Sequence, residues 1–225
     1  MLKTNSDKIL ISGANGDIGK EIAKNLSLKH RVITVSRKNC DYCGDLSDFE
    51  FVKSLSEKTG FVDTIICCSG GVLENDNINN LSNLHLDVIK NNLITAINLT
   101  KVYMPLMKSK NKGLFIYFSS NLTNSTNSCY ENISYTISKI GIEKLTEILC
   151  NNESKNGIRF NCLIPGFVRT PKYQKKMQNE KLLAKIGKIG GYSTSENILD
   201  VINFFIKNET ITGAKIRIDG GNQHL

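Results

Sequence analysis

Apolar residues along the chain fall into short continuous runs that alternate with stretches where they recur every three or four positions. Lys8-Ile9-Leu10-Ile11-Ser12 is the first such run and has the length of a buried strand. It leads straight into Gly13-Ala14-Asn15-Gly16-Asp17-Ile18-Gly19, after which Ile18, Ile22, Ala23 and Leu26 recur at helical spacing. Arg31-Val32-Ile33-Thr34-Val35 predicts a second strand. Strand, glycine turn, helix and strand in about thirty residues make a βαβ unit, and such units build parallel sheets.

The alternation continues. Asp63-Thr64-Ile65-Ile66-Cys67-Cys68 predicts a strand that breaks at Gly70-Gly71. Leu84 to Met107 predicts one long helical stretch, with Pro105 bending or ending its last turns. Gly113 to Phe118 predicts a strand, and Tyr135 to Leu149 a helix that carries Ile140, Leu145 and Ile148 inward. Ile158 to Leu163 predicts a strand ended by Pro165-Gly166, Glu196 to Ile206 a helix, and Lys215 to Ile218 a last strand closed by Asp219-Gly220-Gly221. There is no internal repeat and no linker. The expectation is an α/β fold in one domain, residues 1–225: a single Rossmann-type, doubly wound parallel sheet with helices on both faces.

Composition changes this picture little. The 225 residues are 40% hydrophobic and 22% charged, enough for one core and unlike a disordered chain. No apolar run approaches the roughly 20 residues of a membrane span, and the polar N-terminus does not read as a secretory signal. Seven cysteines, two of them adjacent (Cys67, Cys68), point to reduced thiols and a cytoplasmic protein. The net charge of +8 is spread along the chain with no block of like charge, so no nucleic-acid partner is expected. An Asn- and Lys-rich background or a phosphorylated small ligand accounts for it. Cys40-Asp41-Tyr42-Cys43 has metal or redox spacing, but there is no second such pair, and His30, His85 and His224 show no ligand spacing. No metal site is expected, and these cysteines read as ordinary thiols in a turn.

The glycine turn carries candidate chemistry because of its context, after a strand and opening a helix. Glycine lets the backbone approach a pyrophosphate, and the helix N-terminus offers free N–H groups; a tight turn without a ligand is the other reading. An acid at the end of the second strand would favour NAD, and an Arg there NADP. The strand runs out into Ser36-Arg37-Lys38, so Arg37, assisted by Lys38 or Ser36, is expected to take a 2′-phosphate. NADP(H) is the preferred cofactor, with NAD(H) second; two solvated charges on a turn are the alternative.

Four segments in order resemble the short-chain dehydrogenase/reductase family over nearly the whole chain. They are Ser12 to Gly19, Tyr135-Thr136-Ile137-Ser138-Lys139, Asn161 to Thr170 with its Pro165-Gly166, and Thr212 to Gly221. Positions i and i+4 share a helix face, so Lys139 can stand beside Tyr135, and a neighbouring cation favours the phenolate needed for acid/base work. The resemblance implies that Tyr135 transfers the proton, Lys139 lowers its pKa and holds the nicotinamide ribose, Ser120 polarises the carbonyl, and Asn92 supports a water relay. It further implies cofactor contacts from Gly13, Asn15, Gly16, Asp17, Ile18 and Gly19. Asp45 and Leu46 would flank the adenine, and Cys68, Ser69 and Gly70 would also contact the cofactor. Val168 and Thr170 would lie by the nicotinamide amide, with Pro165 and Gly166 as further cofactor contacts. Asp45 could instead be a plain helix N-terminal acid.

This chain departs from the family pattern in three places. Gly16-Asp17 replaces the later glycine of single-domain members. Cys67-Cys68-Ser69-Gly70 stands for Asn-Asn-Ala-Gly and loses the amide that braces the sheet. Ser120 and Tyr135 are 15 positions apart, two more than usual, so either the loop 121–133 is longer or another hydroxyl (Ser119, Thr123, Ser125) serves. Residues 171–193 would cover the substrate; their lysines and apolar patches suit an anionic or carrier-bound carbonyl compound, such as a 3-oxoacyl thioester. A nucleotide-linked keto-sugar and a non-catalytic NADP-binding regulator are the alternatives. The resemblance also implies a homo-dimer or homo-tetramer.

Overall fold

The central strands carry the heaviest runs of β-branched and aromatic residues and are covered on both faces, as parallel strands require. The computed structural model describes residues 7–80, 82–124, 131–170 and 192–221. Among these, seven parallel strands form one sheet: β1 (Lys8–Ser12), β2 (Arg31–Ser36), β3 (Tyr42–Cys43), β4 (Thr64–Cys67), β5 (Gly113–Phe118), β6 (Ile158–Pro165) and β7 (Lys215–Ile218). Their order is β3-β2-β1-β4-β5-β6-β7. The chain winds outward from β1 to β3, crosses back, and winds the other way from β4, so the strand order reverses between β1 and β4. Ligands of such sheets bind at that reversal, beyond the carboxyl ends of the strands.

Alternation along each strand divides the core in two. Leu10, Ile65, Phe115, Tyr117 and Phe160 face α2 (Phe49–Thr59), α4 (Thr95–Lys108) and α5 (Ile133–Glu153). Ile9, Ile11, Ile66 and Ile116 face α1 (Asp17–Leu26) and α6 (Ser195–Lys207). The Phe115 ring stacks on Tyr117 and Phe160 at centroid separations of 5.9 and 5.4 Å. The doubly wound sheet expected from the sequence is thus present. Among the described residues, no helix is long and apolar enough to cross a membrane.

Four features differ from expectation. Strand β3 and helix α2 have no counterpart in the sequence reading. The strand is two residues long and exists by pairing Val35 with Tyr42 and Ser36 with Cys43. The helix starts where the Asp48 carboxylate accepts the Glu50 N–H. The stretch 84–107 is not one helix: α3 (Asn83–Ile89) and α4 are joined by a π turn, Lys90–Ile94, and α4 runs past Pro105 to Lys108. Ile140 and Ile148 of α5 point to solvent, and only Leu145 packs against the core. The inward face of α5 is instead Ser134, Ser138, Lys139, Ile142 and Thr146, a polar face that hydrophobic periodicity cannot reveal.

Candidate active site

The turn after β1 is built for close approach of backbone. Gly13 has φ +67°, and a Cβ there would stand 2.7 Å from Ser69 N, so only glycine fits between β1 and the end of β4. A Cβ on Gly19 would stand 2.4 Å from the Gly13 carbonyl oxygen. Gly16 is the N-cap of α1 and provides no side chain to its first N–H groups, which stay available to an anion. A cleft of about 750 Å³ opens here. It runs from Gly13, Asn15 and Gly16 past Ser36, Arg37 and Lys38 to Asp45 and Leu46, and on its other side along Cys68, Ser69 and Gly70. The Asp45 carboxylate accepts from Ser47 N and Ser47 Oγ, both at 2.8 Å, and Asp48 caps α2, so Asp45 is not that helix's capping acid. The amide missing at Cys67-Cys68 is partly replaced by Ser12: its buried Oγ accepts the Ser69 N–H at 3.3 Å and ties β1 to the end of β4.

Asn92 and Lys139 converge on Gly70 of the cleft wall. Gly70 has φ +142°, and a Cβ on it would stand 2.1 Å from Asn92 Oδ1 and 3.4 Å from Lys139 Nζ. Asn92 lies in the π turn, where its Nδ2 donates to the carbonyls of Gly71 and Val88, each at 2.9 Å. Its Oδ1 is buried and takes no hydrogen bond from the described residues. Lys139 Nζ donates to the Phe118 carbonyl at the end of β5 (2.9 Å) and stands 5.3 Å from the centre of the Tyr135 ring. Burial pushes the Lys139 ammonium down to about 8. Burial likewise pushes the nearby thiols of Cys67 and Cys162 up to about 12, so they are neutral near pH 7.

The hydroxyls that follow β5 sort themselves by partner. Ser119 Oγ and Thr123 Oγ1 both donate to Glu143 Oε1 at 2.7 Å, and Glu143 is one turn beyond Lys139 on α5. Ser120 is buried, and its Oγ accepts the Leu122 N–H at 3.3 Å. Of these three hydroxyls Ser120 is the one not bound to Glu143. Ser125 lies outside the described residues.

A family model described as Enoyl-(Acyl carrier protein) reductase matches residues 7–223. The chain belongs to the short-chain dehydrogenase/reductase family. It is 25% identical over 237 residues to the 3-oxoacyl-[acyl-carrier-protein] reductase of Escherichia coli K12, covering 94% of this chain and 95% of that one. It is 30% identical over 149 residues to the (3R)-3-hydroxyacyl-CoA dehydrogenase of Mus musculus, covering 61% and 56%. Among solved structures, an oxidoreductase of the family from Burkholderia thailandensis superposes with a TM-score of 0.85 at 18% identity, covering 99% of this chain and 94% of that one. Family membership makes the chain an oxidoreductase.

On this short-chain dehydrogenase/reductase framework, Pro165 ends β6, and Gly166 N donates to the Ile218 carbonyl at 2.8 Å. Val168 and Thr170 are buried beyond it, with Val168 bridged to Ser193. The substrate segment expected at 171–193 lies outside the described residues except for its last two. Sequence reasoning missed Asp76. This buried acid receives the backbone N–H groups of Ser134 (3.1 Å) and Tyr135 (3.0 Å), and so fixes the first turn of α5. Its Oδ1 also lies 3.4 Å from His85 Nε2. Ser82 N–H donates to His85 Nδ1 at 2.7 Å. No local signal marks this residue, since its partners are 58 and 59 positions away.

Proposed function

We propose that the chain is an NADP(H)-dependent oxidoreductase that interconverts a carbonyl and an alcohol, with Tyr135 as the proton-transferring group. The observation that carries this reading is the buried Lys139 beside Tyr135, with its ammonium close to Gly70, a residue that lines the cleft of the glycine turn. The residues present suit a dinucleotide: Gly13 and Gly19 admit no Cβ, α1 keeps its first N–H groups free, and Asn92 Oδ1 is a buried acceptor in want of a donor. Gly13, Asn15, Gly16, Asp17, Ile18 and Gly19 would hold the pyrophosphate side. Arg37, with Lys38 and Ser36, would hold a 2′-phosphate, Asp45 and Leu46 the adenine side, and Cys68, Ser69 and Gly70 the middle. Pro165, Gly166, Val168 and Thr170 would border the nicotinamide, which when bound exchanges a hydride with the substrate carbon.

The chain's own part is the proton. The Tyr135 hydroxyl gives its proton to the substrate oxygen, and the Lys139 ammonium lowers the cost of the phenolate left behind. Ser120 donates a hydrogen bond to the same oxygen, and Asn92 Oδ1 orients a water that returns a proton by way of Lys139. Similarity to 3-oxoacyl-[acyl-carrier-protein] reductases and to a 3-hydroxyacyl-CoA dehydrogenase supports a 3-oxoacyl thioester as substrate. The same reading has the chain working as a homo-dimer or homo-tetramer.

The test is NADPH oxidation with acetoacetyl and trans-2-enoyl thioesters, wild type beside Tyr135→Phe, with NADPH and NADH binding titrations. Turnover of the 3-oxo compound is expected to fall at least about 100-fold in Tyr135→Phe, with NADPH affinity unchanged. Arg37→Ala is expected to weaken NADPH and leave NADH alone. Turnover that survives in Tyr135→Phe would remove the tyrosine from its role, and equal affinity for NADPH and NADH would remove the 2′-phosphate assignment.

A further inference from the structure

The turn between β2 and β3 carries two thiols that the proposed chemistry leaves unused. Cys40 Sγ and Cys43 Sγ are 3.1 Å apart, close enough for a hydrogen bond and about 1 Å from bonding distance. The turn holds them there. Asp41 accepts from Thr34 N (2.9 Å) and Thr34 Oγ1 (2.8 Å), and its own N–H returns a bond to Thr34 Oγ1 (2.9 Å). Cys43 is paired in register with Ser36, and Gly44 N donates to the Ser36 carbonyl at 2.9 Å. Cys43 is exposed and Cys40 half-buried; burial and the bond to Cys43 push the Cys40 thiol up to about 11. The exposed sulfur is therefore the one a reagent meets first, and the sheltered one is placed to resolve. The residues just before and just after this pair, Arg37, Lys38, Gly44 and Asp45, line the cleft.

We propose that Cys40 and Cys43 form a thiol–disulfide exchange site whose oxidation weakens binding of the phosphorylated dinucleotide. The reagent is a low-molecular-weight disulfide. Cys43 thiolate attacks one of its sulfurs, a Cys43–S bond forms, and one thiolate leaves. Cys40 thiolate then attacks Cys43 Sγ, the Cys40–Cys43 bond forms, and the second thiolate leaves. The reagent gains two electrons as two thiols, which take up the two protons that the cysteines lose. Closing the sulfur gap draws Cys40 towards the edge strand and removes its S–H from the carbonyls of Tyr42 and Ser36, at 3.1 and 3.4 Å. Arg37 and Lys38 are carried on that same turn, and a charge-assisted phosphate contact tolerates little displacement. Linkage makes the effect reciprocal: bound NADPH opposes the disulfide by the same factor by which the disulfide opposes NADPH.

The second half of this proposal rests on the cofactor reading above, and the experiment separates the two. The protein is equilibrated in glutathione buffers of graded ratio, alkylated and cut with trypsin. The peptide spanning Asn39 to Lys53 contains both cysteines and no others. It is expected about 2 Da lighter and unalkylated under oxidising ratios, and to revert with dithiothreitol. NADPH affinity of the oxidised protein is expected to drop roughly tenfold, while Cys43→Ser binds NADPH like the reduced wild type at every ratio. A peptide that stays doubly alkylated, or stops at a mixed disulfide on Cys43, overturns the exchange site. A disulfide that leaves NADPH affinity unchanged overturns the coupling. A reduced protein that binds no NADPH overturns the cofactor reading, and the peptide still decides the exchange site.

Discussion

Lys139 is an ammonium held where ammonium is costly, and that cost sets a pH limit. Burial lowers it to about 8 from the ordinary 10.5, so above pH 8 the free protein loses the cation that favours the Tyr135 phenolate. kcat/KM reports the free enzyme, so it is expected to fall by about tenfold per unit above pH 8. A profile that stays flat to pH 10 would show that this charge is not needed. Tyr135 and Lys139 were legible because their relation is local, four positions on one helix. The partners that aim them were not. Asp76 and Glu143 act across the fold, on backbone or hydroxyl groups 20 or more positions away. The choice among hydroxyls after β5 was also hidden, because it depends on which of them Glu143 engages.

At the scale of elements, α5 is aimed by its first turn. The Asp76 carboxylate takes two N–H groups there, and Asp76→Asn leaves one good acceptor oxygen for both. Loss of such a cap costs about 1 kcal/mol, a few degrees in a melting curve. The larger effect is expected in turnover: kcat down roughly tenfold or more from a displaced Tyr135, with NADPH affinity unchanged by titration. A loss confined to thermal stability would reduce Asp76 to a cap. Six of the seven strands among the described residues were legible because Ile, Val, Phe and Tyr run together in them. β3 was not, since Tyr42-Cys43 becomes a strand only by lying against β2. α2 escaped because just Val52, Leu55 and Thr59 are buried there, too few positions to draw a helical stripe. The inward face of α5 was misread because five of its six buried positions, Lys139 among them, are polar.

For the molecule as a whole, the outward face of α5 bears on the proposed homo-oligomer. Ile137, Ile140 and Ile148 are 56%, 49% and 52% exposed, apolar surface that a second copy would cover. The homo-oligomer reading expects light scattering to give two or four times the chain mass, and Ile140→Asp to move it towards one. A wild type that stays monomeric at high concentration would refute it. The π turn at 90–94 constrains the chain in a different way. It spends one more residue than an α turn, and each residue of helix is worth about 100° of rotation. Leu99, Tyr103 and Met107 after it fill the core, while Asn92 within it faces Gly70. Delete the surplus residue and one of these two orientations must be given up. The helical arm is therefore fixed in length as well as in composition, and substitutions are open to it where a single-residue deletion is not.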